Sequence, residues 1–257
     1  MTVQNTIDYT LHLADNALVL GHRNSEWTGH GPILEQDIAL SNIALDLIGQ
    51  ARYLYQYAAR LMNAGAEQRK PAVTEDVLAY LRDSWDFRNC LLVEQGNGDW
   101  GKTVLRQFFF SAYQFYFYRE LQQSRDKELS AIAEKSLKEV TYHLRWSSEW
   151  VIRLGDGTEE SHGRMVKVLD ELWMYTGELF VPADFERILT NAGIAVDLAM
   201  IHPLWDERVR DVLREATLDI PLASMQKGGK QGRHTEQLGY LLAEMQFLQR
   251  AYPGCEW

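Results

Sequence analysis

The sequence predicts an all-α protein, because apolar residues recur at intervals of three and four positions along almost the whole chain. No segment alternates apolar and polar residues as a half-buried strand does. A chain of 257 residues with 46% hydrophobic content can hide roughly three quarters of its unfolded surface. We expect one helical domain over residues 1–257, with a core bundle at about 7–180 and additional C-terminal helices and a tail at about 182–257.

The first three predicted helices are separated by short breaks rich in glycine and proline. The first two are expected at about 7–23 and 33–63, on either side of the break at 29–32. Thr74 is a capping residue followed by two acidic residues, which favours a third helix starting there and running to the glycines at 96–98.

The later helices include one that is apolar on nearly all sides, at 108–118. Such a helix is typical of a bundle centre or a subunit interface. The remaining helices are expected at 127–154, at 159–180, just after Pro182, at 197–218 and at 235–251. Long helices joined by short turns predict a bundle of four or more antiparallel helices.

Two of the long helices have the spacing of a di-iron bundle without its ligands. Such a bundle takes one Glu from each of two helices and a Glu-x-x-His pair from each of the other two. At the pair positions this chain has Leu47 with Gln50, and Val140 with His143. Leu and Val cannot donate to a metal, and an amide is a far poorer ligand than imidazole. The residues therefore predict a bundle that holds no metal of its own.

Polar residues lie one helical turn before two of these positions. Asp46 precedes Gln50, and Glu139 precedes His143. The four residues could form one buried polar cluster or simply be pairs on the helix surfaces. A histidine on an apolar stripe is more often a hydrogen-bonded core residue than a lone ligand. The literal Glu-x-x-His at 159–162 is interpreted as the acidic start of a helix.

A basic, glycine-rich loop leads into the last predicted helix at residues 227–235. Glycines let backbone amides converge, so Lys227, Lys230 and Arg233 could contact the phosphates of a coenzyme A thioester or a partner. The Walker spacing is absent. A flexible or partner-docking loop is the favoured alternative.

The composition limits the partners and the compartment. A net charge of −10 argues against nucleic acid or an anionic membrane as the main partner. The first residues lack a signal peptide pattern, and no apolar segment reaches the roughly 20 residues that a membrane span needs. Cys90 and Cys255 lie in no disulfide or metal spacing, so we expect free thiols and a cytoplasmic protein.

Five segments of the sequence carry a resemblance to a known family. They are Glu26-Trp27-x-x-His30-x-Pro32, Asp46-x-x-Gly49-Gln50-Ala51-Arg52, Leu91-Leu92-Val93-Glu94-Gln95, Lys138-Glu139-x-x-Tyr142-His143-Leu144-Arg145, and the tail from Gly228-Gly229-Lys230 to Trp257. Together they resemble the C subunits of the bacterial ring 1,2-phenylacetyl-CoA epoxidases, and the tail is the most specific part.

The resemblance implies a ferritin-like, non-catalytic subunit that pairs with a homologous catalytic A subunit. In that family the A subunit holds the di-iron centre, and a separate flavin and iron-sulfur reductase passes it electrons from NADPH. The complex uses O2 to form a ring epoxide on phenylacetyl-CoA during aerobic phenylacetate degradation. Other epoxidase components are further expected partners, and no cofactor is expected in this chain.

The same resemblance locates the ligand positions of the A subunit on this sequence. They fall near Ala17, Leu47, Gln50, Ser111 or Ala112, Val140 and His143. Only His143 is chemically suitable. Two alternatives remain open, namely a di-iron oxidase with unrecognised ligands and a module that binds coenzyme A thioesters.

Overall fold

The computed structural model describes residues 2–64 and 72–255, which form helices and turns and contain no strand. The all-α prediction is confirmed, as a ferritin-like helical bundle. The α-helices of the described ranges are α1 (Thr2–Ser25), α2 (Leu34–Ala64), α3 (Glu75–Tyr80), α4 (Leu91–Glu94), α5 (Trp100–Leu121), α6 (Lys127–Gly155), α7 (Glu159–Trp173), α8 (Asp184–Asn191), α9 (Leu198–Glu215), α10 (Glu236–Met245) and α11 (Phe247–Ala251). None of these helices is both long and apolar enough to cross a membrane.

Four long helices make the core of the bundle. α1 packs along α2, and α5 packs along α6, while contacts between α2 and α6 join the two pairs. The short connections make each pair antiparallel. α7 and α9 cover α5, and α8 covers α1. α2 packs mainly on α1, α3 and α6, so one of its faces is left uncovered by the later described helices.

Helix α5 lies at the centre of the molecule. Its residues Phe108, Phe109, Phe110 and Tyr113 are buried, as is most of the helix on every side. The indole nitrogen of Trp205 in α9 donates to the carbonyl of Phe109 at 3.0 Å. A helix that is apolar on nearly all sides can lie at a bundle centre or at a subunit interface, and α5 lies at the centre.

The helix predicted from Thr74 to the glycines at 96–98 is wrong. Thr74 does cap α3, but α3 ends at Tyr80, and only a 3-10 turn at Ser84–Asp86 and the short α4 follow before residue 96. The backbone amides of Arg88, Cys90 and Leu91 donate to side chains of distant segments instead of to carbonyls one turn back. Tertiary hydrogen bonds therefore replace the helical ones in this segment.

Two other predicted helices are interrupted. The predicted 159–180 helix stops at Trp173, and Gly177–Phe180 forms a 3-10 turn. A Cβ on Gly177 would lie 2.7 Å from the Met225 side chain, so close packing requires glycine there. The predicted 235–251 helix is divided into α10 and α11 at Gln246, whose side-chain amide donates to the carbonyl of Arg82.

Candidate functional site

The positions that the sequence analysis matched to di-iron ligands lie in the interior of this chain. Ala17 on α1, Leu47 on α2 and Val140 on α6 are fully buried. Ser111 and Ala112 on α5 are also fully buried, and the Ser111 hydroxyl accepts a hydrogen bond from Gln107. Alkyl side chains at Ala17, Leu47 and Val140 offer no donor atom, so these positions cannot hold iron.

The four polar residues for which the sequence left open a buried cluster or helix-surface pairs form two bonds between α2 and α6. The Nε2 atom of His143 lies 2.9 Å from Oδ2 of Asp46. One turn along, the Gln50 amide donates to Oε2 of Glu139 at 2.9 Å. These bonds cross between helices, so the residues are not pairs within one helix surface. The His143 side chain is fully buried, whereas 38% of the Asp46 side chain is exposed.

The surroundings of Gln50 and His143 do not fit a di-iron centre. The Gln50 amide oxygen accepts from the Tyr118 hydroxyl at 3.3 Å and lies 3.5 Å from the Gln114 amide nitrogen. The Nδ1 atom of His143 is buried without a hydrogen-bond partner. Within the described ranges, no three His, Cys, Asp or Glu side chains gather as a group that could hold a metal. Of the described positions matched to di-iron ligands, only His143 has a metal-preferring donor, and the nearby carboxylates of Asp46 and Glu139 are hydrogen-bonded to His143 and Gln50. Di-iron sites need several carboxylates directed at the metals.

The glycine-rich loop binds an anion that belongs to the chain itself. The backbone amides of Gly228 and Gly229 donate to Oε1 of Glu178 at 2.6 and 2.8 Å. The amide of Leu91 donates to the other carboxylate oxygen at 2.7 Å. Gly228 has a φ of 144°, and a Cβ on Gly229 would lie 2.1 Å from the Asn89 carbonyl. The glycines therefore allow the loop to close around Glu178.

The three loop cations have different environments. Lys230 is buried and donates to both carboxylate oxygens of Glu186, at 2.9 and 3.2 Å. Lys230 also lines the cleft described next, but its ammonium group is paired with Glu186 and its side chain is only 1% exposed. Lys227 and Arg233 are exposed and line a surface cleft of about 430 Å³ together with Arg88 and other residues.

Glu94 forms a third buried anchor for the same loop. Its carboxylate accepts from Nδ1 of His234 at 2.7 Å, from the amide of Thr235 at 2.6 Å and from Asn89 at 2.8 Å. Burial alone would lower the pKa of His234, but the hydrogen bond and the charge of Glu94 outweigh it and raise that pKa above its usual value.

Two residues of α1 continue this buried network. Asp15 accepts from the amide of Arg88 and from the Tyr55 hydroxyl, at 2.7 and 2.6 Å, and forms an ion pair with Arg82. Burial, together with the positive charge of Lys230, lowers the pKa of His12 to about 4. His12 therefore stays neutral at neutral pH.

Sequence reasoning missed Glu178 and Glu186 as partners of the loop. The available signal was weak: Glu178 directly precedes the apolar Leu179 and Phe180, which predicts burial of the segment but not its partner. No spacing rule connects residue 178 with residue 228. The literal Glu-x-x-His at 159–162 lies at the N-terminus of α7, where Glu159 and Glu160 are exposed and His162 bonds to the Gly155 carbonyl at 2.8 Å.

The fold is that of a ferritin-like helical bundle, and the positions that the sequence analysis matched to di-iron ligands are buried and mostly apolar or amide side chains. The chain belongs to the phenylacetic acid catabolic protein family, whose model matches residues 1–257. It is similar to the C subunit of the 1,2-phenylacetyl-CoA epoxidase of Escherichia coli (strain K12), with 46% identity over 250 residues, covering 97% of this chain and 98% of the relative. The family resemblance seen in the sequence is confirmed.

Proposed function

We propose that this chain is a non-catalytic structural subunit of a multicomponent 1,2-phenylacetyl-CoA epoxidase in the cytoplasm. In this role it stabilises the di-iron catalytic A subunit during aerobic phenylacetate degradation. The observation that carries the proposal is the burial of Leu47 and Val140, without donor atoms, where a catalytic bundle needs ligands. The similarity to the C subunit of an epoxidase supports the choice of complex.

A metal-free bundle has a physical use beside an iron-bearing one. An iron site requires carboxylates in the protein interior, and burying them is unfavourable unless each is paired or bound to metal. A second bundle with an apolar core can add a large interface to the iron-bearing subunit. We expect the stability of the A subunit, and not the chemical step, to depend on this chain.

Iron content tests the absence of a metal site directly. The chain should be purified alone from iron-replete cells, and its iron measured by elemental analysis. We expect well below one iron per chain, while the complex purified from the same cells should contain iron. About two irons per chain in the isolated protein would overturn the proposal and make this chain an oxidase.

Coenzyme A thioester binding is the second candidate function, and the surface cleft beside the loop is the observation that favours it. Lys227 and Arg233 are exposed there, and Arg88 and Arg187 line the same cleft. Calorimetry of the isolated chain with phenylacetyl-CoA tests this candidate. Saturable heat that is lost in Lys227→Met and Arg233→Met would establish it, whereas the structural proposal expects no heat of binding.

A further inference from the structure

The uncovered face of α2 carries exposed apolar side chains. Leu34, Ile38 and Leu45 are 71%, 51% and 66% exposed, and Tyr53 is exposed further along the helix. Together with Gly49, these residues follow one face of the helix, because their spacings are close to whole helical turns. Water-exposed apolar stripes of this kind mark interaction sites.

Gly49 lies within this stripe and is not required by the chain's own packing. A Cβ at Gly49 would meet no atom within 4 Å. Gly21 of α1 is different, because a Cβ there would lie 3.1 Å from Ile48 and 3.3 Å from Leu47. Glycine inside a helix is less favourable than alanine. The open space at Gly49 leaves room for another backbone to approach closely from outside.

The charges beside Gly49 show what kind of helix would fit. A cleft of about 460 Å³ is lined by residues that include Asp46, Arg52, Lys135 and Glu139. Asp46 is bonded to His143, and Glu139 accepts from Gln50, so both carboxylates are engaged with buried partners.

The two cations of the cleft, Arg52 and Lys135, have different partners. Lys135 donates to the Tyr53 hydroxyl at 2.8 Å and lies 4.2 Å from the centre of that ring, without a carboxylate partner among the described residues. Arg52 is exposed and already forms an ion pair with Glu75, with Nε and Oε1 3.6 Å apart. Lys135, which has no ion pair among the described residues, is therefore the cation of the cleft that can accept an incoming carboxylate, with the charge of Arg52 beside it.

We propose that the α2 stripe, formed by Leu34, Ile38, Leu45, Gly49 and Tyr53, is the docking surface for an α-helix of a second helical subunit. The incoming helix crosses over Gly49, packs apolar side chains on the stripe and places a carboxylate between Arg52 and Lys135. This inference rests on the proposed function, which supplies such a subunit. A second exposed apolar surface, around Trp85, Tyr240 and Phe247, is the alternative position and provides the control.

Co-purification of the epoxidase subunits with this chain, tagged and co-expressed with them, tests the stripe. Leu45→Glu and Gly49→Leu should reduce the amount of the second subunit that is recovered at least tenfold, whereas Phe247→Glu should leave it unchanged. Lys135→Glu should weaken the complex more than Lys138→Glu, which changes an exposed lysine of α6 that does not line the cleft.

A stability measurement separates docking from folding. Gly49→Ala should raise the melting temperature of the isolated chain, because alanine favours the helix, and should at the same time weaken the complex. Retention of the second subunit by Leu45→Glu and Gly49→Leu at wild-type levels overturns the docking surface but leaves the proposed function intact. Failure of the wild-type chain to retain any epoxidase subunit overturns the proposed function itself.

Discussion

The polar centre between α2 and α6 and the polar network under the glycine-rich loop use buried groups in different ways. In the first, Asp46, Gln50, Glu139 and His143 are joined by two hydrogen bonds between α2 and α6, both carboxylates are partly exposed, and His143 has an unbonded nitrogen. Under the loop, Glu94 and Glu178 each accept at least three hydrogen bonds. A fully bonded network fixes one conformation, whereas a sparse one tolerates change.

The comparison shows which groups the buried carboxylates of this protein bind. In a di-iron bundle they bind metal between the core helices. Here Glu178 instead holds the backbone of residues 91, 228 and 229, and Glu186 holds Lys230. The buried carboxylates of the loop network therefore stabilise the fold by holding the loop in place. Variants at these carboxylates and at the α2–α6 centre should differ accordingly in stability.

Replacing Glu178 should have the largest effect. Glu178→Ala leaves three buried backbone amides without acceptors, and each unsatisfied donor costs about 1–3 kcal/mol. We expect the free energy of unfolding to fall by roughly 4 kcal/mol or more, measured by equilibrium denaturation. Glu160→Ala, at an exposed position, is the control. A loss under about 1 kcal/mol would show that the loop amides find other acceptors.

Replacing the buried Lys230 should destabilise the protein far more than replacing the exposed Lys227 of the same loop. Lys230→Met leaves Glu186 buried and uncompensated, which costs about 3–5 kcal/mol. Lys227→Met, in the same loop but exposed, should change stability by less than about 0.5 kcal/mol. Denaturation curves of the two variants make the comparison. Equal effects would contradict the different environments of the two lysines.

Acid should weaken the network through His12. The folded chain keeps His12 neutral to about pH 4, while the unfolded chain takes up a proton near pH 6.5. The contribution of neutral His12 to the free energy of unfolding is therefore complete above pH 6.5 and is lost as the pH falls from 6.5 to 4. The loss is about 3 kcal/mol, from about 1.4 kcal/mol per pKa unit. His12→Gln should remove this part of the pH dependence, measured as unfolding free energy at several pH values.

Replacing His143 should have the smallest effect. His143→Leu removes one hydrogen bond, and the partly exposed Asp46 carboxylate can return to water. We expect a loss of about 1 kcal/mol and unchanged turnover of the assembled epoxidase. Loss of turnover at unchanged stability and assembly would instead give His143 a role in the chemistry.

Periodicity was sufficient to predict the long helices but not the irregular segments. α6 was expected at 127–154 and is observed at Lys127–Gly155, because its apolar spacing and its capping residue Asp126 are local signals. Residues 81–90 could not be predicted in the same way. Their backbone partners Asp15 and Asn16 come from α1, and the sequence does not show which side chains will reach them.

In the candidate site, too, local spacing predicted some features and missed those that depend on long-range contacts. Helix spacing was sufficient to place Leu47, Gln50, Val140 and His143 as facing positions, but not to decide whether their polar neighbours bond within one helix or between two. Lys227, Lys230 and Arg233 look alike in the sequence. Which of them is buried depends on Glu186, 44 residues before Lys230, and such long-range pairing follows from the packing of the complete fold.

The attachment of Glu94, Glu178 and Glu186 to residues 228–235 has a consequence for how the protein is made. On the ribosome, those residues are synthesised after every helix of the core bundle. Until they emerge, the three carboxylates lack the loop amides, the imidazole and the ammonium group that they bind in the interior, and burying them without these partners is strongly unfavourable. The segments that carry these three carboxylates can therefore pack onto the core helices only late in synthesis, and chains terminated before residue 228 should be degraded by proteases more readily than the full chain.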